Sequence, residues 1–268
     1  MSEAAARLEH MTDPALPTPA SPRPLRSAVA EWVEGWTASR GVAAVERAGS
    51  WRVPFGHPDR WAEFVVPLDD EARSVRDERL AAVLAEAAEV GSLGDRVWVS
   101  VVTHDAADVA AAGARAGFEV RSAEESFMGV DLAGHAARRV PAPYELDVAE
   151  AGAAAGRVPS AAPPGPVPVL RASAWVGEGH EGEGDDAATG RAAITSAGAC
   201  VLDRVETDDA HRRRGLGGAV VHALVDEARR RGATRGLLVA STDGAGLYES
   251  LGWTRLASVV VLVTAPAS

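Results

Sequence analysis

Val205-Glu206-Thr207-Asp208-Asp209-Ala210-His211-Arg212-Arg213-Arg214-Gly215-Leu216-Gly217-Gly218 sets the fold class, because it joins two segments of different period. Before it, Cys200 to Thr207 reads as a strand. After it, Leu216, Val220, Leu224 and Ala228 recur at helical spacing and predict a helix from about Gly215 to Arg231. Between them lies an anion site. Glycines 215, 217 and 218 let the backbone approach a ligand closely, and the unpaired N–H groups of the helix's first turn point at it. Arg212, Arg213 and Arg214 add positive charge, and a diphosphate is the natural guest. Two other readings stay open: a plain turn with solvated arginines, and a dinucleotide fingerprint, although Val220 stands where that pattern needs its third glycine.

Downstream, Arg229 to Arg231 sit where the helix dipole favours cations, and Gly232 suits a cap. A strand Gly236 to Ser241, a short helix Gly244 to Leu251 with Gly252 as cap, and a last strand to about Ala265 follow. Upstream, strands fit Tyr144 to Val148, Val169 to Val176 and Arg191 to Thr195. Ala151 to Pro168 reads as loop, Gly177 to Asp186 as a flexible acidic hairpin loop whose single His180 organises no metal site, and Gly134 to Pro143 as a linker.

The N-terminal half reads as a helix from Ser27 to Arg40, strands at Trp51 to Val53 and Trp61 to Val66, and a helix from about Asp69 to Val90. Then come a strand Arg96 to Thr103, an alanine-rich helix ending at Gly117, and a strand from about Glu125 to Leu132. Its strand, helix and Ala116-Gly117-Phe118 echo the later strand, helix and Leu251-Gly252-Trp253, which suggests a duplication.

The 268-residue chain is long enough for one large domain or two small ones. Residues 11 to 25 are proline-rich and read as a disordered tail. A net charge of −11 opposes general binding to nucleic acid or anionic membrane. The apolar stretch Leu256 to Ala265 is half of the roughly 20 residues a membrane helix needs and reads as a buried strand. The acidic, alanine-rich start lacks signal-peptide character, so a cytoplasmic location is expected. Cys200 is the only cysteine and reads as core, which leaves no disulfide and no multi-cysteine metal site. All basic residues are arginine, so lysine chemistry is excluded.

Arg212-x-x-Gly215-x-Gly217 after a strand resembles the coenzyme A loop of the GCN5-related N-acetyltransferases, and Leu247-Tyr248-Glu249-Ser250-Leu251-Gly252-Trp253 resembles the short helix that ends their conserved core. The resemblance covers about Ala199 to Trp253. It implies that backbone groups of Val205, Glu206 and Thr207 pair with the pantetheine arm of acetyl-CoA as the co-substrate. It implies further that N–H groups from Arg213 through Arg214, Gly215, Leu216 and Gly217 to Gly218 hold the pyrophosphate, and that Tyr248 protonates the departing thiolate. Read by itself, Tyr248 between Leu247 and Leu251 is equally a core residue. Asp203 and Glu206 are the candidate bases, each equally a surface carboxylate, and strand alternation sends them to opposite faces.

The family places two acceptor-shaping helices where this chain has Ala151 to Pro168, so the N-terminal half is expected to supply that wall. This half lacks a diphosphate loop, with no glycine between Gly56 and Gly91, and carries Gly113 where the second copy has Tyr248. The expectation is an α/β fold, an acyl-CoA N-acyltransferase-like mixed sheet flanked by helices in two tandem copies. A tail to residue 26, a degenerate copy over 27–140 and a catalytic one over 141–268 would compose it. The expected activity is acetyl transfer to a primary amine of a small molecule or protein, without a metal; the alternative is a non-catalytic acyl-CoA-binding module.

Overall fold

A computed structural model describes residues 24–68, 72–92, 95–135, 138–151, 167–177 and 186–265. Most of the tail, of the Ala151 to Pro168 segment and of the acidic stretch around His180 lies outside the described residues. The elements are α1 (Leu25–Arg40), β1 (Val45–Arg47), β2 (Ser50–His57), β3 (Arg60–Leu68), α2 (Arg73–Gly91), β4 (Val97–Thr103), α3 (Ala106–Arg115) and β5 (Phe118–Asp131). They continue with β6 (Tyr144–Glu150), β7 (Val169–Val176), β8 (Ala188–Ile194), β9 (Ala199–Thr207), α4 (Leu216–Arg230), β10 (Arg235–Ala240), α5 (Thr242–Ser250) and β11 (Thr254–Thr264).

Among the described residues, eleven strands form one mixed sheet in the order β1-β2-β3-β4-β11-β5-β10-β9-β8-β7-β6. Each half contributes a parallel pair, β3 with β4 and β9 with β10, then a short helix and a long strand. The long strands are exchanged: β11 pairs with β4, and β5 pairs with β10. The two exchanged strands also pair with each other, Thr264 opposite Phe118 at one end and Thr254 opposite Gly129 at the other. Neither half therefore closes its own sheet.

Alternation along the strands separates two faces. Val201, Leu237, Phe127 and Val65 point to the face covered by α1, while Cys200, Leu202, Leu238 and Met128 point to the face covered by α4. Further along that second face, α2 and α3 bury Leu80, Leu84 and Val109 against Val99 and Leu262. Gly113 admits this close packing, since a Cβ there would lie 2.5 Å from Leu262 Cδ1. At the position that the sequence aligns with Tyr248, a side chain would thus displace Leu262.

Helix α1 belongs to the N-terminal half by sequence but lies across strands of the C-terminal half. Its Gly35 sits so close to β9 that a Cβ would come within 2.5 Å of Val201 Cβ. Polar ties flank that contact: Arg235 Nε donates to Glu31 at 2.8 Å, Ser196 N donates to Glu34 at 3.0 Å, and Arg191 Nη1 donates to the Ser39 carbonyl at 2.9 Å. Because the obstruction at Gly35 is a fixed strand residue, overpacking outweighs the gain in helix propensity. Gly35→Val is expected to destabilise the protein by about 1–3 kcal/mol in urea unfolding.

Candidate active site

Strands β9 and β10 pair only from Ala199–Arg235 to Val201–Leu237, although β9 runs on to Thr207 and β10 to Ala240. On its other side β9 stays paired with β8 up to Thr207. The β10-facing edge of β9 beyond Val201 therefore presents backbone groups with no strand partner among the described residues, at the mouth of a V-shaped opening. An extended amide-bearing chain can pair there.

A bulge changes how β9 presents its side chains. Thr189 faces Glu206 and Arg191 faces Asp203, so Gly190 alone opposes both Arg204 and Val205, and Arg204 has φ 52°. Thr189 and Arg191 share a face, and so do their partners. The expectation that Asp203 and Glu206 point to opposite faces is thereby overturned: the extra residue restores them to one side, and both border the same cavity.

At the end of β9, Asp208 accepts from Ala210 N at 2.9 Å and starts one 3-10 turn, Asp209–His211. Arg213 (φ 61°) and Gly215 (φ 82°) take left-handed conformations and turn the chain into α4. Among the described residues no side chain caps α4, and Ala219 N bonds back to the Gly215 carbonyl at 3.1 Å. The N–H groups of Leu216, Gly217 and Gly218 remain for a ligand. Two of the three arginines brace the loop itself. Arg212 pairs with Asp209 at 2.7 Å, and Arg214 donates to Tyr144 Oη at 2.8 Å and to the Ala210 carbonyl at 3.0 Å. Tyr144 Oη is also hydrogen-bonded to His211 Nδ1, 2.9 Å away. Arg138, from the linker, comes near the helix start, its Nη1 3.6 Å from where a Gly218 Cβ would stand. Tyr144 and Arg138 escaped the sequence reading, since their partners lie about seventy residues downstream.

Helix α5 begins where β10 ends, its cap Ser241 accepting from Gly244 N at 3.2 Å. It places Tyr248 against Trp253, ring centroids 5.8 Å apart, with its hydroxyl making no hydrogen bond among the described residues. Burial, aided by the Asp203 charge, pushes the Tyr248 phenol up to about 12. Cys200 is fully buried, its thiol likewise pushed up to about 12, and is inert.

A cavity of about 350 Å³ opens between the β9–β10 gap and the end of α1. Tyr248, Asp203 and Glu206 border it from the C-terminal half; Trp36, Arg40, Arg60, Glu63, Trp98 and Glu125 border it from the N-terminal half. Asp203 is engaged by α1: it accepts from Ser39 Oγ at 2.7 Å and from Arg40 Nε and Nη2 at 3.0 and 2.8 Å. Glu63, only 3% exposed in its side chain, accepts from Ser100 Oγ at 2.6 Å and from Arg60 Nε at 2.7 Å. The Arg60 guanidinium lies over the rings of Phe55 (4.5 Å) and Trp98 (4.6 Å). Glu63 also escaped the sequence reading, although a lone charge inside the apolar run Trp61-Ala62-Glu63-Phe64-Val65-Val66 is a signal that could have found it. A larger cavity, about 690 Å³, lies between α2 and α3, its rim spanned by the ion pairs Arg73–Asp108 and Arg76–Asp105, remote from these groups.

A model of the family described as FR47-like protein matches residues 184–261, the segment that carries the opening, the loop and α5. Among solved structures, a GCN5-related N-acetyltransferase from Kribbella flavida is similar over 90% of this chain and 95% of its own, with TM-score 0.59 and 18% identity. The fold is that of the GCN5-related N-acetyltransferases. A tandem protein of this fold from the clavulanic acid biosynthesis pathway aligns over 85% of both chains (TM-score 0.51, 16% identity). A third, from Sphaerobacter thermophilus, aligns over 80% of this chain and 76% of its own (TM-score 0.51, 15% identity). No curated protein matches the chain. Tyr144 braces the loop between β9 and α4 through Arg214 and His211. Tyr144→Phe is expected to cost about 1–2 kcal/mol, for two lost hydrogen bonds, and to speed tryptic cleavage after Arg212 to Arg214; unchanged cleavage would remove the bracing role.

Proposed function

We propose that the chain transfers the acetyl group of acetyl-CoA to a primary amine. The observation that carries this reading is the convergence of three features on one opening: the unpaired edge of β9, the free N–H groups at the start of α4, and the largely buried Tyr248, whose hydroxyl makes no hydrogen bond among the described residues. Backbone groups of Val205, Glu206 and Thr207 pair with the pantetheine arm. The N–H groups from Arg213 to Gly218 hold the pyrophosphate, with Arg212 and Arg214 shaping the loop rather than gripping the ligand, and Arg138 adding charge from outside. The acetyl carbonyl then lies in the gap between β9 and β10, within reach of an amine in the cavity beneath α1.

The amine attacks directly, the carbon–sulfur bond breaks, and Tyr248 donates its proton to the thiolate. A phenol held near 12 stays protonated throughout the neutral range and is available as a donor. Asp203, saturated by Ser39 and Arg40, ties α1 to β9 and orients the cavity wall.

Acetyl-CoA at roughly 100 times its dissociation constant should stabilise the protein by about 2.7 kcal/mol in thermal unfolding. The shift should vanish in a folded Gly217→Glu variant, whose side chain would start 3.2 Å from Leu247 Cδ2 and carry negative charge into the loop. An unshifted wild type would refute the reading. Tyr248→Phe should keep the shift while thiol release with amine falls about 10²-fold or more. Wild-type turnover should show no loss from tyrosine ionisation up to about pH 10, the ordinary tyrosine value. A wild type that binds acetyl-CoA with no turnover to lose would favour the acyl-CoA-binding module.

A further inference from the structure

Acetyl transfer to an alkylamine needs a group that takes a proton from the ammonium, and neither of the cavity's best-ordered carboxylates is free to do so. Asp203 accepts three hydrogen bonds from α1, and Glu63 is held by Arg60 and Ser100. Glu206 is exposed, where water competes for any ammonium it meets. Glu125 differs from all three. It is half-buried, borders the same cavity as Tyr248, and makes no hydrogen bond or ion pair among the described residues.

Its position follows from the strand exchange. Ser126 of β5 faces Ala240, the last residue of β10, so Glu125 stands one step beyond, level with the start of α5. By alternation it points to the same face as Phe127, the face covered by α1. An amine in the cavity then has the opening with the thioester on one side and Glu125 on the other.

We propose that Glu125, supplied by the N-terminal half, is the proton acceptor for the amine; this rests on the acetyltransferase reading above. The ammonium gives one proton to the Glu125 carboxylate, which passes it to water. The freed lone pair forms the carbon–nitrogen bond, the carbon–sulfur bond breaks with its electrons on sulfur, and Tyr248 protonates the thiolate. The second proton on nitrogen returns to the tyrosinate, so the net products are amide, thiol and one released proton.

The charged surroundings suit this step. Burial raises the Glu125 pKa above the ordinary glutamate value, Glu63 of β3 raises it further, and Arg121 of its own strand and Arg60 of β3 oppose them. Arg40 of α1, together with Asp203, Arg204 and Glu206 of β9, completes the ionisable groups around the cavity, with Tyr248 of α5 the remaining titratable one. A carboxylate of raised proton affinity is a better base and still ionises below the amine.

The test uses the full chain with acetyl-CoA and two small probes: ethylamine, protonated at neutral pH, and hydroxylamine, largely unprotonated there. Glu125→Gln is expected to lower kcat/KM for ethylamine about 100-fold or more and for hydroxylamine by only a few-fold. Its loss of the acidic limb of the ethylamine pH profile should accompany this, and Glu125→Asp should restore part of the rate. Equal loss on both probes, no loss, or an ethylamine-selective loss in Glu206→Gln instead would overturn the assignment. So would a wild type that binds acetyl-CoA and acetylates neither probe. Absent acetyl-CoA binding in the thermal shift would refute the underlying acetyltransferase reading instead, so the two failures are separable.

Discussion

Everything in this molecule depends on how the backbone groups at the centre of the sheet find partners. Strand β5 lies between β11 and β10, and β11 lies between β4 and β5, so four consecutive strands alternate between the two halves of the chain. Withdrawing either half would strip one whole edge from β4 or β10, and a buried strand edge without partners is among the costliest defects a fold can carry. The exchange therefore fuses two similar units into one sheet. It also determines which residues can reach the site, because a strand that completes the neighbour's sheet delivers its side chains into the neighbour's cavity.

That delivery lets the N-terminal half help to wall the cavity. Helix α1 lies over β8 and β9, pinned by the close contact of Gly35 with Val201 and by the Ser39 and Arg40 bonds to Asp203. It roofs the cavity, while β3, β4 and β5 wall it. The N-terminal half has Leu262 packed against Gly113, and its charged and aromatic residues line the space in front of Tyr248.

Local patterns were legible in the sequence. The strand, loop and helix around Gly215, the motif ending at Trp253, and the echo between Gly117 and Gly252 all depend on short-range spacing, and the corresponding elements form with small shifts at their ends. Strand β5 begins at Phe118 rather than near Glu125, because its outer residues, Glu119, Arg121 and Glu124 among them, are polar and exposed and are held as strand by pairing with β11. What stayed hidden was long-range or conformationally atypical. The exchange leaves no mark in periodicity, since β5 and β11 present the same kind of apolar face. The bulge puts a left-handed φ on Arg204, a residue type that gives no warning of it, and so the alternation argument for Asp203 and Glu206 failed. The sequence also gives no sign of the contacts inside the loop, where Arg212 pairs with Asp209 and Arg214 donates to Tyr144.

The central claim is that one sheet, built by exchange, joins both halves around a single coenzyme site. Native-state hydrogen exchange with and without acetyl-CoA tests it most directly. If the account holds, the most protected amides of β4, β5 and β10 gain the same free energy on ligand binding, since they open only together. Protection that rises in β9, α4 and β10 while β4 and α1 stay unchanged would mean that the halves unfold independently, and would contradict it.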